Sequence, residues 1–360
     1  MRILFTIGTM GGGGAERNVS LLANALIEKG YEVGIMGIWG DELVYQLSPS
    51  ITYIPIEPNV SNKLIRFAKQ LFRIRPYIKK YNPDIILSFL ADVNACVLLC
   101  TRFMKCKVVV SERNDPNIDP TIKVFRILRK IMYHYADAFV FQTADAKAYF
   151  RKTIENKTSC IIPNPVRKDL PNHIDKGTGV IVTACRLTKQ KNLPLLIDAF
   201  KTVLKQHPEY VLHIYGEGEL KDELSLYISK QNLSANVFIK GFAKDVCERI
   251  DEADIFVLSS DYEGMSNSML EALGMGMPCV ITDCPIGGAR MLIKNMKNGI
   301  LVPTGDKNAL ANALLLLIDD REKRKELGRA ALQIRRDNSI EQIVEKWTDL
   351  ICQIGEGIDG

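Results

Sequence analysis

Two glutamates eight positions apart, Glu263 and Glu271, enclose a loop that follows a strand pattern and opens a helix pattern. Carboxylates accept hydrogen bonds from pairs of sugar hydroxyls, and the backbone N–H groups at a helix N-terminus can hold a phosphate. The sequence therefore predicts a site for a phosphorylated sugar here. The alternative is that both glutamates merely favour the positive end of the helix dipole. The predicted backbone donors are Gly264, Met265, Ser266 and Asn267.

A second loop, residues 183–192, carries Arg186 and Lys191 between another strand pattern and another helix pattern. A guanidinium and an ammonium at this spacing can converge on the oxygens of a diphosphate. Diphosphate binding is one interpretation of the pair, and ordinary solvated side chains are the other.

The third loop follows the first strand pattern and holds Gly12, Gly13 and Gly14 just before a helix pattern. Glycines let backbone N–H groups approach an anion, and the helix start adds its positive dipole end. A phosphate or sugar is the predicted ligand, and a flexible turn is the alternative. Glu32 lies too early to be the ribose-binding acid of a dinucleotide fingerprint, which argues against a nicotinamide dehydrogenase.

Strand and helix patterns alternate through both halves of the chain, which is typical of βαβ units and parallel sheets. We expect two Rossmann-like doubly wound α/β domains, at 1–167 and 179–337, joined by a polar linker at 168–178. A last helix, about 338–360, should return to the first domain. Ligands of such sheets bind at the carboxyl ends of the strands, so the predicted site lies in the cleft between the two domains. The predicted strands are 3–7, 32–38, 85–89, 107–111, 138–142, 179–185, 211–215, 237–240, 255–258 and 278–282.

Composition narrows the function classes. Of the 360 residues, 47% are hydrophobic and 25% charged, which indicates a folded globular protein. The sequence has no apolar run long enough for a membrane span and no signal-peptide pattern, and its nine cysteines form no C-x-x-C pair. These observations favour a cytoplasmic protein without a disulfide framework.

Charge is distributed unevenly along the chain. Residues 1–177 carry 25 Lys and Arg against 16 Asp and Glu, and the rest of the chain is slightly acidic. Two basic amphipathic helices are predicted, at 62–81 and 123–135, and such faces can rest on anionic lipid head groups. A solvated outer face is the alternative. No recognisable nucleic-acid module accompanies the basic segments, so we expect no nucleic-acid partner.

In this order, the motifs resemble those of the retaining glycosyltransferases of family 4, over residues 1 to about 347. The matching pieces are the Gly-rich loop, 162–165 (IPNP), 186–192, 214–218 (IYGEG), 240–242 (KGF) and the loop between the two glutamates. The resemblance implies the GT-B architecture of two facing Rossmann-like domains. It also implies front-face sugar transfer with retained stereochemistry and no metal or other cofactor, and the sequence has no Asp-x-Asp metal pair.

The resemblance also implies roles for individual residues. Arg186 and Lys191 would bind the donor diphosphate, Glu263 the transferred sugar and Glu271 the nucleotide ribose. The base would lie near Gly216, Gly241 and Phe242, and Gly12 to Gly14 would approach the diphosphate from the other domain. UDP is the nucleotide that the resemblance favours, with GDP as the alternative.

One loop departs from the wider family. Many relatives carry a histidine after the fourth strand of the first domain, where this chain has the segment 111–116 (SERNDP). We hypothesise that Arg113 contacts a donor or acceptor phosphate and that Glu112 or Asn114 touches the sugar. In the alternative, Glu112 and Arg113 pair with each other. This variant resembles enzymes that transfer hexoses or N-acetylhexosamines to polyprenyl-diphosphate-linked sugars in surface polysaccharide or glycan assembly.

A lipid-linked saccharide acceptor would explain the basic first domain, with the enzyme peripheral on the inner face of the cytoplasmic membrane. A sugar-nucleotide epimerase of the same fold is the main alternative function, and a non-catalytic sugar-nucleotide binding protein is another. The sequence leaves open which sugar is transferred, the acceptor linkage and the oligomeric state.

Overall fold

The computed structural model describes residues 1–57 and 63–356. The chain forms two compact units, which we call unit 1 (Met1–Pro165 and Ile340–Gly360) and unit 2 (Val166–Ser339). The start of the first predicted basic helix, at residue 62, lies outside the described residues, as do the last four residues of the predicted C-terminal helix.

Unit 1 is built on a parallel sheet with strand order β3-β2-β1-β4-β5-β6-β7. Its five inner strands are largely buried on both faces, which explains the nearly continuous apolar run of the first strand. A single-turn 3₁₀ helix, Tyr133–Tyr135, follows α4. The elements are β1 (Arg2–Ile7), α1 (Gly14–Glu28), β2 (Glu32–Gly37), β3 (Thr52–Pro55), α2 (Lys63–Tyr81), β4 (Ile85–Phe89), α3 (Ala91–Cys100), β5 (Lys107–Ser111), α4 (Lys123–Met132), β6 (Ala138–Phe141), α5 (Ala144–Tyr149) and β7 (Thr158–Ile161).

Unit 2 repeats this plan with the strand order β10-β9-β8-β11-β12-β13, again all parallel. A 3₁₀ helix, Lys189–Lys191, precedes α6. The elements are β8 (Val180–Ala184), α6 (Leu193–Val203), β9 (Val211–Tyr215), α7 (Lys221–Lys230), β10 (Val237–Gly241), α8 (Val246–Ile250), β11 (Ile255–Leu258), α9 (Asn267–Met275), β12 (Cys279–Thr282), α10 (Gly288–Leu292), β13 (Ile300–Val302), α11 (Lys307–Asp319), α12 (Arg321–Ala331) and α13 (Ile334–Asp337).

The last helix, α14 (Ile340–Gly355), belongs to unit 1 and packs against α1. Its apolar positions recur at helical spacing, and Trp347 is 1% exposed, with its ring 5.8 Å from that of Phe89. The helix therefore completes the core on one face of the unit 1 sheet.

The prediction of two doubly wound parallel sheets is confirmed. The sequence patterns missed β3, β7 and β13, and all three are the outermost strands of their sheets. Edge strands are short and have only one neighbour, so they lack the long apolar run that marks a central strand.

In each sheet the order of the strands reverses at one point, between β1 and β4 in unit 1 and between β8 and β11 in unit 2. The loops that follow the two strands at such a point diverge to opposite faces of the sheet and leave a crevice at the carboxyl edge. The Gly-rich loop follows β1, and the loops with Lys191 and Glu263 follow β8 and β11. The topology thus explains why these loops can bind a ligand.

Candidate active site

Hydrogen bonds join the loop after β8 to the loop after β11. The amide of Asp261 donates to the carbonyl of Gln190 at 2.9 Å, and the Ser259 hydroxyl donates to the carbonyl of Lys191 at 2.9 Å. Asn192 adopts a left-handed conformation with φ of 42° and caps α6 by accepting from the Leu195 amide. These bonds fix the direction in which residue 191 projects.

Lys191 and Glu263, which are 72 positions apart in the sequence, form an ion pair in unit 2. Their side chains are 10% and 17% exposed, so the contact is largely shielded from water. Glu263 Oε1, which contacts Lys191, also accepts from the Ser260 hydroxyl at 2.8 Å. Glu263 Oε2 accepts from Gln190 Nε2 at 3.3 Å. The structure therefore brings the predicted cation Lys191 into contact with Glu263, the residue predicted to bind the sugar. Two neutral hydrogen-bond donors to Glu263, Ser260 and Gln190, were not predicted from the sequence.

Arg186 is exposed and makes no ion pair within residues 1–57 and 63–356. It follows β8 at the same sheet edge as Lys191, but the structure does not bring its side chain into the contacts around Glu263. Its predicted role at a diphosphate remains a prediction.

Backbone packing around the site depends on glycine. Gly216 has φ of +140°, and a Cβ at this position would lie 1.8 Å from the carbonyl oxygen of Cys185. Gly288 is equally tight, since its Cβ would lie 1.7 Å from the oxygen of Gly264. Gly216 was predicted from the sequence and Gly288 was not, although the adjacent pair Gly287 and Gly288 before a short helix was an available signal.

The start of α9 lies beside the ion pair. Ser266 caps the helix by accepting from the Met269 amide at 3.5 Å, and Gly264, Met265 and Ser266 are buried. Asn267 is the first residue of the helix. Farther along, Glu271 is 7% exposed, and its carboxylate lies 3.9 Å from the guanidinium of Arg167. Glu271, the residue predicted to bind the ribose, thus lies beside Arg167, which is the last residue of the predicted first domain.

The remaining predicted donor contacts of unit 2 lie on the other side of β8. The Gly216 amide donates to the carbonyl of Gly241 at 2.8 Å, which joins the loops that follow β9 and β10. Gly241 has φ of +75° and Phe242 is 63% exposed. An exposed ring at the carboxyl edge of the sheet is available for stacking on a base.

In unit 1 the Gly-rich loop is tied to the segment that precedes β3. Tyr45 donates its hydroxyl to the carbonyl of Gly13 at 2.9 Å, and Met10 forms a parallel bridge with Leu43. Gly12 has φ of +105°, and Gly13 caps α1 from an extended conformation. Gly14 is the first residue of that helix.

The loop after β5 differs from the alternative in which Glu112 and Arg113 pair with each other. Glu112 is 3% exposed and accepts a hydrogen bond from the Tyr133 hydroxyl, which in turn accepts from Asn94 at 3.0 Å. Burial raises the pKa of Glu112 to about 7, although the positive charge of Arg129 and the hydrogen bond from Tyr133 oppose the shift. The Glu112 carboxyl therefore stays protonated to a higher pH than an exposed glutamate does.

Arg113 packs its guanidinium over the rings of Phe89 and Trp347, at 4.7 and 5.7 Å. Nη1 donates to Asn164 Oδ1 at 3.0 Å, an oxygen that also accepts from Gln142. The Nε and Nη2 atoms are buried and have no hydrogen-bond partner among the described residues. Burial lowers the pKa of Arg113 to about 9.

The two basic helices turn only some of their cations outward. On α4, Arg126 and Arg129 point inward and donate to backbone carbonyls of the loop 116–120, whereas Lys123 and Lys130 are exposed. The basic face predicted at 123–135 therefore presents these two lysines outward, whereas the two arginines are used by loop carbonyls that need donors. No helix of the described chain is both long and apolar enough to cross a bilayer.

Comparisons with known proteins agree with the fold of the two units. The family model described as Glycosyltransferase Family 4 matches residues 12–170, and the model described as Glycosyl transferases group 1 matches residues 167–334. A Campylobacter jejuni enzyme, GalNAc-alpha-(1->4)-GalNAc-alpha-(1->3)-diNAcBac-PP-undecaprenol alpha-1,4-N-acetyl-D-galactosaminyltransferase, is 29% identical over 98% of this chain and 99% of its own.

Solved structures share the fold along nearly the whole chain. Sucrose-phosphate synthase from Thermosynechococcus elongatus superposes with a TM-score of 0.87 at 17% identity, covering 99% of both chains. Anabaena HepE, solved in complex with UDP and glucose, superposes with a TM-score of 0.81 at 17% identity, covering 98% of this chain and 100% of its own. Since consecutive family models and full-length relatives agree with the two Rossmann-like sheets, this chain belongs to the GT-B glycosyltransferases of the family 4 type.

Proposed function

We propose that this glycosyltransferase moves a hexose or N-acetylhexosamine from a UDP-sugar to a lipid-linked saccharide, with retention of configuration and without a metal ion. The Lys191–Glu263 pair at the point where the unit 2 strand order reverses carries the proposal. It places a cation suited to a diphosphate beside a carboxylate suited to sugar hydroxyls. The full-length similarity to a transferase named for an undecaprenol-diphosphate-linked substrate supports the choice of acceptor.

Each donor group then has a proposed partner. Lys191 and Arg186 bind the diphosphate, and the N–H groups at the start of α9, residues 264–267, bind the leaving phosphate. Glu263 accepts from the sugar hydroxyls and Glu271 from the ribose. The base lies near Gly216, Gly241 and Phe242, and Gly12 to Gly14 approach the diphosphate. The bound UDP in a solved protein of the same fold supports the choice of nucleotide.

The proposed reaction is a front-face displacement. The bond between the anomeric carbon and the β-phosphate oxygen breaks, and the acceptor hydroxyl oxygen bonds to the same face of that carbon. As this bond breaks, negative charge develops on the β-phosphate beside Lys191, and the departing phosphate then takes the proton of the acceptor hydroxyl. A positive charge placed where negative charge develops stabilises the transition state. Product NMR is expected to show the anomeric configuration of the donor, and EDTA is expected to leave turnover unchanged.

Donor binding can be tested by thermal unfolding with UDP, GDP, UDP-glucose, UDP-galactose, UDP-GlcNAc, UDP-GalNAc and GDP-mannose. A ligand at 100 times its Kd adds about 2.7 kcal/mol to the free energy of unfolding, which raises Tm measurably. We expect UDP and one UDP-sugar to stabilise the wild type and to lose this effect in Lys191→Ala. Lys189→Ala is a matched control, because Lys189 is exposed in the same 3₁₀ helix.

The outcomes separate the alternatives. Stabilisation by GDP-mannose alone would reject UDP as the nucleotide, and no response to any nucleotide would reject the proposed donor site. Conversion of a bound UDP-sugar into its epimer without an acceptor would replace the transferase by the epimerase alternative.

We further propose that unit 1 meets an anionic membrane through a surface of exposed apolar and basic residues on α2, on α4 and in the turn that follows α3. Its ring and aliphatic members are strongly exposed, including Phe72 at 83% and Phe103 at 92%. Contact between the Phe67 and Phe125 rings, 5.2 Å apart, joins α2 to α4 beneath it. The outward apolar residues are Ile65, Phe72, Phe103, Val124, Ile127 and Ile131, and the exposed lysines among them are Lys69, Lys123 and Lys130.

This mixture fits a lipid interface better than a solvated face, since apolar side chains enter the acyl boundary while lysines stay among anionic head groups. Binding there would hold the enzyme at the inner face of the cytoplasmic membrane, where a lipid-linked acceptor is reached. In liposome flotation we expect recovery with anionic vesicles to exceed recovery with neutral ones. The double variant Ile127→Ser, Ile131→Ser should lower it strongly.

Leu226→Ser provides the control for the flotation experiment, because Leu226 is 55% exposed on α7 of unit 2. Equal recovery with anionic and neutral vesicles, or equal recovery of all three proteins, would reject the proposed surface.

A further inference from the structure

The carboxylate of Glu263 is held by three donors, of which only one is charged. Oε1 accepts from Lys191 Nζ and from Ser260 Oγ, and Oε2 accepts from Gln190 Nε2. Under the proposed function, Lys191 must also neutralise a diphosphate. A diphosphate carries more negative charge than one carboxylate, so it competes strongly for the ammonium.

The two neutral donors are fixed independently of Lys191. Ser260 is 1% exposed, and its carbonyl accepts from the Thr282 hydroxyl at 2.7 Å. Gln190 Nε2 also donates to the carbonyl of Tyr262 at 2.8 Å, and the Gln190 carbonyl accepts from the backbone amide of Asp261. A neutral hydroxyl and a neutral amide gain little from moving toward a phosphate, so they stay when the ammonium leaves.

We infer that Lys191 changes partner from Glu263 to the donor diphosphate, and that Ser260 and Gln190 are positioning residues that keep Glu263 aimed at the transferred sugar after this exchange. The inference rests on the proposed function and deepens it. In this arrangement, Glu263 Oε1 gains a free acceptor site for a sugar hydroxyl when a diphosphate takes the ammonium. Diphosphate binding thus prepares the sugar contact.

The exchange predicts an unusual effect of Glu263→Gln. Since the ammonium in wild type must leave a carboxylate, part of the UDP binding energy is spent on breaking the ion pair. We expect Glu263→Gln to bind UDP at least about threefold more tightly than wild type, while turnover of the UDP-sugar is lost. Isothermal titration with UDP measures the first effect, and product formation measures the second.

Asp261→Asn is the matched control for charge alone. Asp261 is an exposed acid of the same loop that accepts from Asn192 and forms no ion pair with Lys191 within the described part of the chain. If Asp261→Asn tightened UDP binding as much as Glu263→Gln, general repulsion would explain the gain and the partner exchange would be rejected. Unchanged or weaker UDP binding by Glu263→Gln would reject it as well.

The positioning roles are tested with Ser260→Ala and Gln190→Ala. UDP lacks the sugar, so we expect its Kd to stay within about twofold of wild type, whereas kcat with the UDP-sugar falls about tenfold or more. Ser225→Ala and Gln231→Ala, on remote parts of unit 2, should change neither value. A merely structural defect would lower Tm and weaken UDP and UDP-sugar binding by the same factor.

That equal loss, or an unchanged kcat, would overturn the positioning roles while leaving the proposed function intact. Gln190 is only partly buried, so its variant remains informative if Ser260→Ala fails to fold. Failure of wild type to bind any nucleotide would instead reject the proposed donor site, and this inference with it.

Discussion

Among single residues, Arg113 combines a charge with incomplete hydrogen bonding. A buried guanidinium that lacks partners for two nitrogens is costly, and cation–π contacts recover only part of that cost. If a phosphate completes its bonding, Arg113→Gln should lower turnover about tenfold or more and raise the acceptor KM. Arg113→Lys should not restore activity, because an ammonium lacks the planar fork. Steady-state kinetics check both, and unchanged turnover and acceptor KM in Arg113→Gln would contradict the role.

Glu112 makes a second prediction at this scale. Its pKa is raised to about 7 by burial, from an ordinary value near 4.5, so the folded chain binds more protons than the unfolded chain between these pH values. Stability from the protonated carboxyl is therefore complete below about pH 4.5 and is lost as pH rises toward 7. In urea unfolding, Glu112→Gln should flatten this decline by a few kcal/mol. An equally steep decline in the variant would contradict the assignment to Glu112.

Sequence reasoning succeeded where a residue type has few uses. Residue type and loop position singled out Lys191 and Glu263 as candidate site residues, although their ion pair was not predicted. The donors Ser260 and Gln190 could not be predicted in this way, since serine and glutamine are common in loops and only the contact between the β8 and β11 loops reveals them. For Glu112 and Arg113, the structure excludes the alternative of a mutual pair, because the fold gives the two side chains different partners. The predicted contacts with phosphate and sugar stay predictions.

Helix α4 buries an arginine and exposes two isoleucines, the reverse of the usual arrangement of charged and apolar residues. Arg129 lies inside and donates to the carbonyls of Asp119 and Pro116 at 2.7 and 2.8 Å, while the exposed side carries Ile127 and Ile131. Arg129→Ala would leave these buried carbonyls without their donor and is expected to cost about 2–4 kcal/mol of unfolding free energy. Lys130→Ala, on the exposed side, should change it by less than about 0.5 kcal/mol. Chemical denaturation compares the two, and equal small effects would show that the loop bonds contribute little.

At this scale the inner strands and the edge strand β10 could be predicted, whereas the edge strands β3, β7 and β13 could not. The amphipathic pattern of α4 predicts a helix but does not show which face is exposed. Both its apolar side and its basic side can pack against the rest of unit 1. The inner face of α4 is determined by loop carbonyls that accept hydrogen bonds from its arginines. The sequence pattern of the helix alone does not reveal these carbonyls. The same limit applies to β13, whose short run Ile300–Val302 gains strand character from pairing with β12.

For the whole molecule, the proposed membrane surface and the proposed donor contacts lie in parts of the chain with different net charge. The basic half of the sequence contains most of unit 1, with the apolar and basic surface, and unit 2 contains the proposed donor contacts. The Gly-rich loop is the part of unit 1 that the resemblance assigns to the donor diphosphate. Whether both units contribute to nucleotide binding is therefore a question about the whole chain rather than about either sheet.

Hydrogen exchange can answer it, because bound ligand slows local opening where backbone amides gain partners. We expect saturating UDP to slow exchange at 185–192, 216–218 and 259–267 in unit 2, and also at 11–14 in unit 1. Lys191→Ala at the same UDP concentration should lose the protection in both units, since a single diphosphate would account for both. Protection confined to unit 2 would reject the role of Gly12 to Gly14, and the diphosphate would then depend on Lys191, Arg186 and the start of α9.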